Sequence, residues 1–388
     1  MPLVAVVAIL LCSAMVLITW SVMGGFLTMF LQVGRNVEGD VSIAWPTIGF
    51  GHYEELIKRL EADPMVAAAC PVIDAFGMVS LPDDRLLGVK IRGIDERYSK
   101  VSQFGDALWW KPITEPAPKD KLREDPRLSD QEFFARLAED GRTLTKRDPK
   151  TGQVRPAVVP GIEMSGFSMR QPGQWYDPAP GILKRKAGGA NPYETIDGFI
   201  INHQVTLNVL PLDRGGRNIG VTARRLPGAN EFRTRGFEFD KGVVMMNLGE
   251  LQRMLKMDAA QRIEQPAGNP YEITDAGESP APDAEPKVIG EDPARVTHVF
   301  VKAKPGITPE QLRERCEVIY SDFAARFGAE VPSPAALARA RTISTWEQSY
   351  GMFIAAVKKE IAMVMGLLVL ISFVAVFLVL AIFWAMVS

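Results

Sequence analysis

Hydrophobic and polar positions divide this chain into three parts before any shorter periodicity is considered. Residues 2–34 and 361–388 carry no charged side chain, and every Lys, Arg, Asp and Glu lies within 35–360. A bilayer core about 30 Å thick is crossed by about 20 apolar helical residues, and each uncharged stretch exceeds that length. Both are predicted transmembrane helices. At 1.5 Å per residue the first would measure about 50 Å, so its excess projects beyond the bilayer as a stalk. A cleaved signal peptide is the alternative for the first segment, and it calls for a basic start, a short apolar core and a small-x-small site. The chain instead opens Met1-Pro2-Leu3-Val4 and stays apolar through Trp20 and Met23 to Leu31, while Ile9-Leu10-Leu11 before Cys12 is too bulky for lipoprotein cleavage. A retained helix is expected.

The middle segment alternates between helix and strand signals. Residues 52–62 place Tyr53, Leu56, Ile57 and Leu60 on one helical face. Residues 77–81 and 87–94 read as strands joined by Pro82-Asp83-Asp84-Arg85, with Leu87, Val89 and Ile91 alternating against Gly88, Lys90 and Arg92. Val205, Leu207 and Val209 alternate in the same way, and residues 242–246 form another short strand. Asn247-Leu248-Gly249-Glu250 predicts a capping box opening a helix over 248–257. After a strand over 296–302, Thr308-Pro309-Glu310-Gln311 predicts a second helix start, and Gly328 ends that helix. Two stretches lack such patterning. Residues 106–197 are dense in proline, glycine and charge, with only 131–138 helical in pattern, and 265–293 carry six prolines among acidic residues. Both are expected to be surface insertions, the second a mobile one. The fold class expected is an α+β extracytoplasmic domain between two transmembrane α-helices.

Charge adds little: 44 basic residues against 46 acidic ones give no nucleic-acid surface. The positive-inside rule does not orient so long a connection. Two single spans flanking one large domain put both chain ends in the cytoplasm and residues 35–360 on the far side. Cys70 and Cys316 are the only pair outside the first helix. Cys316 shares a helical stripe with Leu312, Ile319, Phe323 and Phe327, which favours a buried free thiol over a bridge.

The chemistry-bearing motifs are few. No G-x-x-x-x-G-K-[ST] loop is present, so the chain is not its own P-loop ATPase. Gly215-Gly216-Arg217-Asn218-Ile219-Gly220 has the wrong spacing for a dinucleotide fingerprint and reads as a loop. Ser165 lacks the preceding glycine of a nucleophile elbow. His52, His203 and His298 are scattered, with no partners at metal-ligand spacing, and are read as structural or solvent-facing. No catalytic, cofactor-binding or metal residue is assigned. The pairs Trp109-Trp110 and Trp175-Tyr176 fall in the first insertion; packing beneath it is favoured over partner or membrane contact.

Family resemblance enters at the two ends. Ser21-Val22-Met23-Gly24-Gly25-Phe26 is similar to the segment closing the first transmembrane helix of FtsX-like permeases, the lipoprotein-release and macrolide-export type of ABC transporter. Pro71-Val72-Ile73 and Val89-Lys90-Ile91-Arg92-Gly93-Ile94-Asp95 resemble that family's early strands, and Pro160-Gly161-Ile162 with Val205-Thr206-Leu207 its next signature. The closest likeness is Ile343-Ser344-Thr345-Trp346-Glu347, then 353–360, leading through Met363 into Ser372-Phe373-Val374-Ala375. It gives domains of 1–34 (first helix and stalk), 35–345 (periplasmic domain), 346–360 (stalk) and 361–388 (second helix). The resemblance implies a non-catalytic subunit of the bacterial inner membrane. Its partners would be a cytosolic ABC ATPase, a second permease copy or paralogue, membrane lipid, and a lipoprotein or other hydrophobic cargo. Family members have four spans and a charged cytosolic segment after the second, whereas this sequence stops at Ser388, so a fragment is expected. A two-helix sensor with an extracytoplasmic ligand domain is the rival reading, and a membrane-tethered hydrolase lacks a nucleophile and base.

Overall fold

The computed structural model describes residues 7, 10, 11, 13–25, 37–113, 126–148, 150–171, 175–186, 192–213, 215–263 and 288–387. Its body is a nine-stranded mixed sheet. The strands are β1 (Val41–Ala44), β2 (Val66–Ser80), β3 (Leu86–Ile94), β4 (Val158–Pro160), β5 (Gln204–Val209), β6 (Thr222–Pro227), β7 (Val243–Asn247), β8 (His298–Ala303) and β9 (Ile343–Thr345). The order is β9-β1-β8-β2-β3-β7-β4, with β5 on β2 and β6 on β5. Only β3 and β7 pair in parallel among these strands.

The hairpin predicted around Pro82 forms, but its first strand is far longer than the alternation suggested. β2 serves two neighbours along one edge, β8 over 66–72 and β5 over 77–80, while β3 takes the other edge. Gly77 makes the second junction feasible, because a Cβ there would lie 2.5 Å from the Asn208 carbonyl oxygen.

Side chains alternate across the pleat, so the sheet has two distinct faces. One buries Ile73, Val79, Val89, Ile91, Val244, Val299, Val301, Leu207 and Val209 in the larger core. Helices α1 (Tyr53–Glu61), α3 (Leu248–Leu255) and α4 (Pro309–Phe327) supply its other half, and α2 (Gln131–Thr143) reaches it from the first insertion. Thr308 and Gln311 close the predicted capping box on α4. At α3 only half of it forms: the Asn247 side chain accepts from the Glu250 amide, while the Glu250 carboxylate turns to Arg224 and Arg253. The opposite face carries a smaller core around Cys70, Val72, Ile94, Met245 and Phe300, capped by Tyr98, Val101, Phe104 and Phe232. Cys70 and Cys316 are both buried and free, on opposite faces of the sheet.

Residues 106–197 are not the surface excursion that their composition suggested. β4 lies within them, Val158, Val159, Ile162 and Phe167 are fully buried, and three short hairpins surround it. Prolines and glycines occupy strand ends and turns here, so a loop-like composition coexists with long-range packing. Of the second insertion, 264–287 lie outside the described residues, while Val288–Asp292 pairs with Ala260–Ile263. After β9, α5 (Pro334–Ala340) having preceded it, α6 (Trp346–Ser349) and α7 (Gly351–Val387) complete the chain. Within α7, Ile354–Ala385 is long and apolar enough to cross a membrane. The described part of the first predicted span holds the shorter apolar helix Ser13–Gly25; apart from residues 7, 10 and 11, the rest of 1–34 falls outside the described residues.

Candidate functional site

The smaller face holds a charge that the alternation placed in solvent. Arg92, in phase with Lys90 on β3, is fully buried at 0% exposure. Asp74, its cross-strand partner on β2, receives both forks of the guanidinium, Nε at 2.6 Å and Nη2 at 2.7 Å. Nη2 also donates to Glu38 at 3.1 Å. The remaining nitrogen, Nη1, is buried without an oxygen partner, and the guanidinium carbon sits 5.1 Å from the Phe300 ring and 5.6 Å from Phe239. The two rings offer cation–π attraction where no acceptor reaches. Lys90 adds a second ion pair to Asp74 at 2.7 Å.

This network gathers the two ends of the folded body. Gly39, at φ +74°, turns the chain from the helical pair Val37-Glu38 into β1; a Cβ there would meet Val101 at 2.7 Å. The Val37 carbonyl is held by the Tyr98 hydroxyl at 2.6 Å, which fixes where Glu38 points. Tyr350, immediately before α7, donates its hydroxyl to Glu38 at 3.0 Å across 312 residues of sequence. A second tie runs through the backbone, where the Trp346 amide donates to the Asp40 carbonyl at 3.3 Å. Thr345 and Gln348 form a capping box that starts α6 at the same point.

Electrostatics keeps the network charged. Burial pushes the Asp74 carboxyl up, but Arg92 and Lys90 outweigh it and hold the group well below the usual carboxylate range. Burial works against the Arg92 charge, and Asp74 more than restores it. Burial, then Glu38, pushes the Tyr350 hydroxyl up, so it remains a donor. The half-buried His298 is held down by burial against the pull of Asp74, and its Nδ1 lies 2.8 Å from the Thr297 hydroxyl. Removing Arg92 from so enclosed a network is costly because Asp74 is left with Lys90 alone and Glu38 loses its cation.

Beside the network opens a cleft of about 1080 Å³, bounded by Glu38, by Asp74, Lys90 and His298 on the sheet, and by α4, α5 and the segment ending at Tyr350. Its walls mix carboxylates with Arg313, Arg341 and Lys90.

Of the residues singled out in the sequence, His298 borders this cleft, and the others lie elsewhere. His52 Nε2 meets Glu330 at 2.6 Å and the ring stacks on Phe327, while His203 Nε2 bonds the Asp197 carbonyl at 2.7 Å. Ser165 is buried, and its hydroxyl and that of Ser168 donate to Glu231. Trp110 Nε1 gives that carboxylate a third hydrogen bond at 2.8 Å. Burial pushes Glu231 up against these three donors. Trp109 packs edge-on against Trp175 and Tyr176 at 5.4 and 5.3 Å, with Arg127 4.3 Å from both indole centroids. The aromatic pairs thus pack beneath the insertion, as favoured, and also tie it to residues 230–233. Among the described residues, no group of three or more His, Cys, Asp or Glu is disposed to hold a metal ion.

No local signal marked Glu38, Asp74, Arg92 or Tyr350; only the register of β2 with β3 and two remote chain ends bring them together. Neither a family model nor a curated protein matches this chain.

Proposed function

We propose that this chain is a permease subunit of an FtsX-like ABC transporter, passing ATPase-driven motion from membrane helices into a periplasmic domain. The observation that carries this reading is the Glu38–Arg92–Asp74 network with Tyr350 bound to it. One charged joint ties the chain entering β1 and the chain leaving for the apolar α7 to the middle of the sheet. Coupling requires an element with discrete arrangements that a remote event can bias. A buried ion network suits that role better than apolar packing does, because its geometry is directional and its partial rupture is expensive. ATP hydrolysis then belongs to a separate cytosolic subunit, and lipoprotein or another hydrophobic molecule is the cargo.

The test is a complex of the natural gene product with its cognate ATPase, reconstituted in liposomes. Tyr350→Phe and Arg92→Met should leave basal hydrolysis intact and lower transport per ATP. Full transport by both variants, or a chain that engages no ATPase, overturns the reading. A second reading, a membrane-anchored sensor, is favoured by the cleft beside Tyr350, where a ligand would touch the same joint. Saturable binding of a small polar ligand there, lost in Lys90→Ala and unaccompanied by any ATPase, selects the sensor.

A further inference from the structure

Around the cleft beside the joint the carboxylates are committed and donors are left over. Asp74 is matched by Arg92 and Lys90, Glu38 by Arg92, and Glu317 by Arg313. Arg313 still keeps its Nε buried without an acceptor. Arg341, at the end of α5, lines the same cleft, and among the described residues no carboxylate pairs with it. On the sheet side His298 adds a further donor. The Thr297 hydroxyl accepts from the Asp74 amide, and its single proton has two acceptors to choose from, His298 Nδ1 at 2.8 Å and the Val72 carbonyl at 3.4 Å. The shorter contact takes it, so the imidazole proton sits on Nε2, which has no partner among the described residues.

We propose that this cleft binds a hydroxylated organic anion, with its carboxylate or phosphate at Arg341 and its body along the floor between His298 and Lys90. A guanidinium with no partner of its own presents a planar fork that matches a carboxylate or phosphate. The volume of about 1080 Å³ suits a molecule of metabolite size and is far more than a bare ion fills. Between the charged ends the lining supplies groups that pair with hydroxyls: Ser344 and Ser349, whose Oγ atoms lie 2.9 Å apart, and the Gln348 amide. Leu337 and Tyr320 give the sugar-like body an apolar wall. Glu38, Asp74 and Tyr350 belong to the lining and to the joint alike, so the occupant touches the groups that hold the two chain ends. The inference names the ligand class for the sensor reading of this cleft and rests on that reading.

The test titrates four matched probes into the purified full chain in nanodiscs, by calorimetry at about 150 mM salt to screen unspecific attraction. They are glucuronate and glucose 6-phosphate as anions, glucose as the neutral body and glucosamine as the cation. One or both anions should saturate at least tenfold more tightly than glucose and glucosamine. Arg341→Gln should weaken that binding about tenfold, the size of one charge-assisted contact. Glu317→Gln should strengthen it, because a competing carboxylate leaves Arg313; this exposed position carries the test by its opposite sign if Arg341→Gln unfolds. Arg217→Gln, between β5 and β6 and outside the cleft, removes the same charge and should change nothing. Anions that bind no better than glucose overturn the proposal, as does a loss in Arg217→Gln equal to that in Arg341→Gln. Preference for glucose or glucosamine, lost in Lys90→Ala, overturns the anion and leaves the sensor standing. Anion binding lost in Arg341→Gln, by a chain that also engages an ATPase, upholds the anion site and removes the sensor.

Discussion

Two buried carboxylate clusters in this molecule solve the same electrostatic problem in opposite ways. Asp74 and Glu38 share a fully buried guanidinium, and the charges persist because each side solvates the other. Among the described residues Glu231 has neutral donors, two hydroxyls and an indole, and its carboxyl is pushed towards the protonated form. The neutral-donor cluster ties Ser165, Ser168 and Trp110 of the first insertion to Glu231. The ionic cluster joins Glu38, just before β1, to Tyr350, just before α7. Burial alone therefore does not decide whether a carboxylate keeps its charge; the identity of what it is buried with does.

The comparison breaks most easily at Arg92. Arg92→Met should cost about 3–5 kcal/mol, because Asp74 and Glu38 lose their shared partner. Urea unfolding of the purified chain measures this, and a loss below about 1 kcal/mol would mean the charges are hydrated after all. Acid titration separates the two clusters by sign. Asp74 has a lowered pKa in the fold, so its stabilisation is present above its unfolded value of about 4 and is lost as pH falls below that value toward the folded one. The deficit of Asp74→Asn at pH 7 should accordingly shrink in strong acid. Glu231 has a raised pKa, so its favourable contribution is complete below about 4 and disappears as pH rises through the folded value. Glu231→Gln should therefore flatten the fall in stability on the alkaline side, and an unchanged pH profile would remove the contrast.

Tyr350→Phe comes next. It deletes a hydrogen bond to a charged group, expected to cost about 1.5–3 kcal/mol, and should raise amide exchange across α6 and the first turn of α7. Exchange confined to other segments would detach Tyr350 from the joint. The smallest effect belongs to Ser168→Ala, about 1 kcal/mol, since two donors remain on Glu231. A loss as large as that of Arg92→Met would show that Glu231 is ionised and dependent on every donor.

Local chemistry was legible in the sequence wherever neighbours along the chain sufficed. The Thr308-Gln311 capping box, the Leu207 alternation, the turn at Pro82 and the apolar run within α7 all formed as patterned. These depend on helical or pleated periodicity and on a few adjacent hydrogen bonds. The full length of β2 was not legible, since the predicted strand covered only its end from residue 77, and the pairing with β8 shows that 66–72 are strand as well. The insertion misled for a related reason: its prolines marked turns correctly, while Val158 and Val159 found the sheet through partners far away.

Tertiary structure alone decided the candidate site. Nothing near Arg92 distinguishes it from the neighbouring Lys90, and the alternation placed both in water. Arg92 is buried because Glu38 and Tyr350, at opposite ends of the body, close over it while Asp74 arrives from the paired strand. Sequence patterns report the direction a side chain takes from its own backbone. What waits in that direction is set by strand register and chain closure, and those are properties of the whole fold.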